Sequence, residues 1–173
     1  FYKDFGTGSS LMLKFLKYTN GLEKTNKTLL RISGQNMEKT LQIQTNLAGY
    51  NNSWYNPGGK VKQVLWYIIS RIFINTYLPF PMSIKLLILK MFGAKVGSKV
   101  VIKPKVNIKY PWFLSIEKNT WIGEKVWIDN LTMVHIGANV CLSQGCYLLT
   151  GNHDFTKSTF DLIVKPITID NGA

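Results

Sequence analysis

The sequence predicts a mainly β fold, a coil of short parallel strands preceded by a pair of helices. Three observations predict it. First, aliphatic residues fall at Val96, Ile102 and Ile108, then at Ile116, Ile122 and Ile128, then at Ile136, Leu142 and Leu148. The step is six within each trio and eight between trios, so the larger period is twenty. Second, the fourth residue after most of these aliphatics is small or β-branched, as at Val100, Val106, Thr120, Val126, Thr132, Val140 and Cys146. The residue directly after the aliphatic is often Gly or polar, as at Gly97, Glu117, Gly123, Asp129, Gly137 and Ser143. Third, the apolar spacing upstream of Val96 is three and four, the period of a helix.

A helix cannot use a six-residue period, because six residues turn it by about 600° and scatter the aliphatics around the barrel. An ordinary sheet needs no fixed corner. Short strands joined by corners satisfy both demands. Each six-residue unit makes one strand and one corner, and three units close one coil. The aliphatics then stack on those of adjacent coils, roughly 4.8 Å apart. Glycine after the aliphatic is expected to supply backbone angles that a tight corner needs.

In chain order, residues 1–36 are polar and basic with no sustained period. They are either a native arm or an extension upstream of a natural start at Met37. Residues 37–59 read as a loop segment ending in Asn56-Pro57-Gly58-Gly59. Residues 60–92 read as a helical hairpin. Val61, Val64, Leu65, Ile68, Ile69, Ile72 and Phe73 form the expected inner stripe of its first helix, which Leu78-Pro79-Phe80-Pro81 ends. Ser83 is the expected cap of the second helix, with Ile84, Leu87, Ile88 and Met91 inward and Gly93 as the stop. Lys60, Lys62, Arg71, Lys85 and Lys90 are expected on polar surfaces. The hairpin is read as a cap over the coil, with a place on anionic lipid as the alternative. Residues 93–173 are the repeat. The rhythm fails between Leu148 and Ile169, so a loop at 149–168 is expected to leave the coil. The pattern restarts at Ile169-Asp170-Asn171-Gly172-Ala173 and stops in mid-coil, and the expectation is that the C-terminal end is cut.

Composition narrows the function classes. The chain has 173 residues, 21 Lys+Arg against 9 Asp+Glu, and a net charge of +12. Residues 1–36 carry six basic and two acidic side chains, 37–95 seven and one, and 96–173 eight and six. The excess lies before the repeat, which argues against a nucleic-acid-binding coil. Two cysteines and two histidines argue against a disulfide scaffold and against a multi-ligand metal site. No run approaches the roughly 18–20 apolar residues of a membrane span. The protein is read as cytoplasmic, with a place at the inner face of the membrane as an extension of that reading.

The repeat resembles the hexapeptide-repeat acyltransferases, and more closely the colanic-acid-type sugar O-acetyltransferases of exopolysaccharide clusters. The residues that carry the resemblance are Asn56-Pro57-Gly58-Gly59, Phe92-Gly93-Ala94-Lys95-Val96-Gly97, Trp121-Ile122-Gly123-Glu124, Val126-Trp127-Ile128-Asp129-Asn130 and Gly151-Asn152-His153-Asp154. It covers residues 37–173. It implies a left-handed parallel β-helix, a homotrimer and acetyl-CoA as co-substrate, with no metal. It also implies a sugar or lipid-linked saccharide as acceptor, with no nucleic acid and with peripheral membrane contact as an extension. The family keeps its active-site histidine where Gly151-Asn152-His153-Asp154 stands, and places coenzyme A along later coils. No coenzyme A residue can be named here. The alternative reading is a non-catalytic structural β-helix or a degenerate fragment.

Acetyl transfer to a hydroxyl needs a base for the hydroxyl proton. His153 is the candidate, since imidazole titrates near neutral pH and can pass the proton to the departing thiolate. Asp154 is expected to orient the imidazole, bind the sugar or close a turn. Asp129, Asn130 and Asn152 are the remaining candidate acceptor-binding residues. His135 is read as an exposed corner residue, Cys141 and Cys146 as fillers of the stack, and Trp121 and Trp127 as cover for the outer wall or as residues facing a neighbouring subunit.

Overall fold

The computed structural model describes residues 44–173. The readings of residues 1–36, and of Met37 as a start, lie outside the described residues. Residues 44–59 are irregular apart from one 3-10 turn at Leu47–Gly49. Two helices follow, α1 (Lys60–Phe73) and α2 (Met82–Met91).

Beyond them the chain winds through three parallel sheets. β1 (Lys95–Val96), β4 (Leu114–Ile116), β7 (Val134–Ile136) and β12 (Ile167–Ile169) form the first, in that order. β2 (Val101–Ile102), β5 (Trp121–Ile122) and β8 (Cys141–Leu142) form the second. β3 (Asn107–Ile108), β6 (Trp127–Asp129) and β9 (Tyr147–Leu149) form the third.

The register is the twenty-residue period itself. Val96 pairs with Ile116, Ile102 with Ile122 and Ile108 with Ile128. The next coil repeats the step, with Ile116 opposite Ile136, Ile122 opposite Leu142 and Ile128 opposite Leu148. Only the last pairing breaks it: Ile136 meets Ile169, thirteen residues later than the period requires. The surplus leaves the coil as an antiparallel hairpin of β10 (Gly151–His153) and β11 (Leu162–Val164).

The core is the expected one in the coil. Ile102, Ile116, Ile122, Ile128 and Ile136 are buried, and Val100, Val106, Thr120, Val126 and Val140 line it from the corners. The glycines act differently from the expectation. Left-handed backbone falls two residues later, at Lys99, Lys105, Asn119, Lys125, Asn139 and Gly145. Gly123 is needed for space: a Cβ there would lie 2.6 Å from the Gln144 nitrogen and 2.6 Å from the Leu142 oxygen of the next coil. Gly97 and Gly137 meet the next coil's backbone in the same way.

The helical pair caps the coil, but by faces other than the expected ones. α1 buries Trp66 and Ser70, and Trp66 Nε1 donates to the Ile108 carbonyl at 2.8 Å. Ile69 and Phe73 are half-buried, while Val61, Val64, Leu65, Ile68 and Ile72 are exposed. The helix stops at Phe73, ahead of the proline pair. In α2, Pro81 rather than Ser83 is the N-cap, and Leu89 is buried with Lys85. Ile84, Leu87 and Met91 face outward, and Ile88 alone of that set packs on the core. Lys85, expected on the surface, is 4% exposed and points Nζ at the Ile102 carbonyl, 3.4 Å away. Gly93, at φ 99°, ends α2 as expected.

His135 sits within β7 rather than at a corner, 3.5 Å from a Glu117 carboxylate oxygen. Cys141 turns outward, whereas Cys146 packs on the core. Trp121 and Trp127 are exposed, and Trp127 also lines a groove beside α1.

Candidate active site

The hairpin is launched from the coil at Thr150-Gly151. The Thr150 hydroxyl donates to the Asp129 carbonyl at 3.1 Å and accepts from the Leu131 amide at 2.8 Å, which ties the launch point to the coil below. Gly151 allows the crossing, because a Cβ there would lie 2.5 Å from Leu131 Cδ1. His153 therefore stands at a defined place over the third sheet.

Its ring is held on two sides. Nδ1 lies 2.9 Å from the Phe160 carbonyl oxygen, and the Phe160 ring stacks on the imidazole at 4.3 Å with 4° between planes. A carbonyl can only accept, so Nδ1 carries the proton and the Nε2 lone pair stays available. Phe160 takes φ 52°, a left-handed conformation that a bulky residue adopts at a cost of about 1–3 kcal/mol. That backbone turn aims its carbonyl at His153. The Tyr50 ring lies 5.7 Å from the imidazole, tilted by 57°.

Asp154 does not touch the imidazole. It accepts from the Thr156 hydroxyl and amide, and Lys157 Nζ lies 3.8 Å away. The Thr156 hydroxyl first, and then its amide, hold the Asp154 carboxyl below its usual range. Lys157 also bridges to Asp161 at 2.9 Å, so these side chains close the hairpin tip. Asn152 is exposed, and its side-chain oxygen accepts from the His153 amide.

A pocket of about 430 Å³ opens between the hairpin, the coil and the segment before α1. His153, Asp129, Lys109, Tyr110, Tyr55 and Asn52 line it. Lys109 Nζ is 2.9 Å from Asp129 Oδ1. The approach lies off the hydrogen-bonding direction, so this solvent-shielded oxygen has charge compensation but no directed donor. Tyr55 donates its hydroxyl to the Leu131 carbonyl at 2.7 Å. Burial first, then the neighbouring Tyr110 and Asp129, push its ionisation far above the ordinary phenol range, so it remains a neutral donor.

Asn130, expected on the acceptor, is turned into the stack instead. It is wholly buried, accepts from the Tyr110 amide at 3.0 Å and donates to the Tyr110 carbonyl at 2.6 Å. Its work is to set the Lys109-Tyr110 backbone that lines the pocket. Of the sequence candidates, His153 and Asp129 share the pocket, while Asn152, Asp154 and Asn130 do not line it. Sequence reasoning missed Tyr55, Tyr110, Lys109 and the Phe160 carbonyl. Among the described residues, no group of three or more His, Cys, Asp or Glu side chains could hold a metal ion.

No family model matches the chain, and no solved structure matches it. The chain is 34% identical over 115 residues to WcaF of Escherichia coli (strain K12), a protein named as a colanic acid biosynthesis acetyltransferase, a name that is itself provisional. WcaF of Shigella flexneri matches to the same degree. The chain is similar over this stretch to two proteins named as colanic acid biosynthesis acetyltransferases. The match covers 66% of this chain and 63% of each relative. No helix of the described residues is long and apolar enough to cross a membrane.

Proposed function

We propose that the protein is an O-acetyltransferase that moves an acetyl group from acetyl-CoA to a hydroxyl of a saccharide in exopolysaccharide biosynthesis. The observation that carries this reading is His153: its Nδ1 is committed to the Phe160 carbonyl, and the ring lines a pocket that also holds Asp129. Kinship to proteins named as acetyltransferases supports the donor chemistry.

The reaction is a direct transfer. Asp129 accepts a hydrogen bond from one acceptor hydroxyl and fixes the sugar. His153 Nε2 takes the proton of the hydroxyl being acetylated as its oxygen attacks the thioester carbonyl. The new C–O bond forms, the C–S bond breaks, and the proton passes from Nε2 to the thiolate to give free coenzyme A. The Phe160 carbonyl stabilises the imidazolium formed between these steps. The same reading includes a left-handed winding, a homotrimer, acetyl-CoA bound along later coils and a cytoplasmic location.

The test is acetyl transfer from acetyl-CoA to a panel of saccharides, read as free thiol and as O-acetyl product. His153→Ala is expected to lower kcat by about 10²–10⁴ with the fold intact. Unchanged transfer by that variant would leave a coil in which His153 has no chemical part.

A further inference from the structure

The helical pair turns an apolar face away from the coil. On α1, Val61, Val64, Leu65, Ile68 and Ile72 recur at spacings of three and four on one side and are between 46% and 75% exposed. A surface helix ordinarily turns such a stripe toward its own core. Here the core takes Trp66 and Ser70 from the opposite side. α2 leaves its own row outward, with Ile84 38%, Leu87 57% and Met91 73% exposed.

The segment that carries this face has charge of one sign. Residues 44–95 contain six Lys or Arg and no Asp or Glu. Lys60 and Arg71 stand in the helical row beside the aliphatic face, with Val64 and Tyr67 between them. A self-complementary contact between two copies of this patch would bring cations against cations. Residues 1–36, with six basic and two acidic side chains, would add positive charge if they covered it. An anionic bilayer supplies both things the face lacks, an apolar interior and fixed negative charge.

We propose that α1 docks on an anionic membrane surface, with Val61, Val64, Leu65, Ile68 and Ile72 in the acyl boundary and Lys60 and Arg71 at the headgroup phosphates. A groove of about 400 Å³, lined in part by Val64, Tyr67 and Arg71, adjoins the His153 pocket, and the two share Lys109, Tyr110 and Asp129. If the acetyltransferase reading holds, this places a lipid-linked saccharide within reach of His153 while its lipid stays in the bilayer. The docking itself does not rest on that reading.

The test is co-sedimentation of the 173-residue chain with phosphatidylcholine vesicles, with and without phosphatidylglycerol. Binding is expected only with the anionic lipid, weakening as salt is raised. Ile68→Glu places a carboxylate in an exposed position, so the fold, checked by far-UV circular dichroism, is expected to stay intact. It should weaken vesicle binding by at least about tenfold. Ile68→Ser, which adds no charge, should weaken it too. Absence of binding to anionic vesicles, or equal binding by both variants, would overturn the proposal. A wild type that ignores vesicles but forms an assembly broken by Ile68→Glu would assign the face to a second copy. Acetylation is not a readout, so failure here is separate from failure of the enzyme reading.

Discussion

Removing the Asn130 side chain separates two roles that the sequence leaves entangled. In the structure its amide is wholly buried and makes two hydrogen bonds to the Tyr110 backbone, at 3.0 and 2.6 Å. Asn130→Ala therefore strands the Tyr110 N–H, while the Tyr110 carbonyl keeps the Phe113 amide at 3.0 Å. An unsatisfied group of this kind costs about 1–3 kcal/mol. For a chain of this size each kcal/mol lowers Tm by about 2–4 °C, so a fall of about 2–12 °C is expected. Thermal unfolding followed by far-UV circular dichroism reads it, with urea denaturation giving the free energy directly. A Tm within about 1 °C of wild type, together with weaker acceptor binding, would refute the reasoning. It would mean that the amide faces the pocket and that Tyr110 is held by something else.

Other outcomes follow from the same contacts. Gly123→Ala should destabilise by about 2–3 kcal/mol, since its Cβ meets backbone at 2.6 Å, whereas Gly145→Ala, with open space but φ 70°, should cost only about 1 kcal/mol; paired urea melts compare them. Lys85→Met should raise stability by about 1 kcal/mol, because burial pushes the Lys85 ammonium pKa down and only one carbonyl lies near it. Between the depressed folded value and the unfolded value of about 10.4 the unfolded chain binds more protons, so wild-type stability rises with pH there. Lys85→Met should lose that rise, as melts across alkaline pH would show. Asp129→Asn should raise the acceptor KM by about tenfold and leave the acetyl-CoA KM unchanged, read by steady-state kinetics.

The coil was legible because its information is one-dimensional. A period of twenty in the chain is also the strand register, as the Ile108–Ile128–Leu148 column shows. The insertion after Leu148 was visible as a break in that period. The helical pair was legible as helices but not in its orientation. α1 has apolar residues on two sides, and spacing alone cannot tell which side meets the core. Trp66 decides it, through a buried ring and an indole N–H that reaches the Ile108 carbonyl, forty-two residues away. Glycine at the corners was correctly placed but for another cause: contact with the next coil depends on coil spacing, which is invisible in a single hexapeptide. Of the sequence candidates, His153 and Asp129 are the two that line the pocket. The partner of His153 is a backbone oxygen delivered by hairpin register, so no residue type at position 160 announces it. Tyr55 enters because the segment before α1 folds back onto Leu131, a contact seventy-six residues apart.

The Phe160 carbonyl holds the proton on His153 Nδ1 and leaves Nε2 unprotonated in the neutral ring. Nitrogen-15 NMR of imidazole-labelled protein, at a pH where the ring is neutral, tests it most directly, with His153→Gln identifying the signals and His135 as the internal comparison. His153 is expected as the Nδ1–H tautomer, with an unprotonated Nε2. A His153 ring found as the Nε2–H tautomer would contradict this, because the proposed base would then already carry a proton.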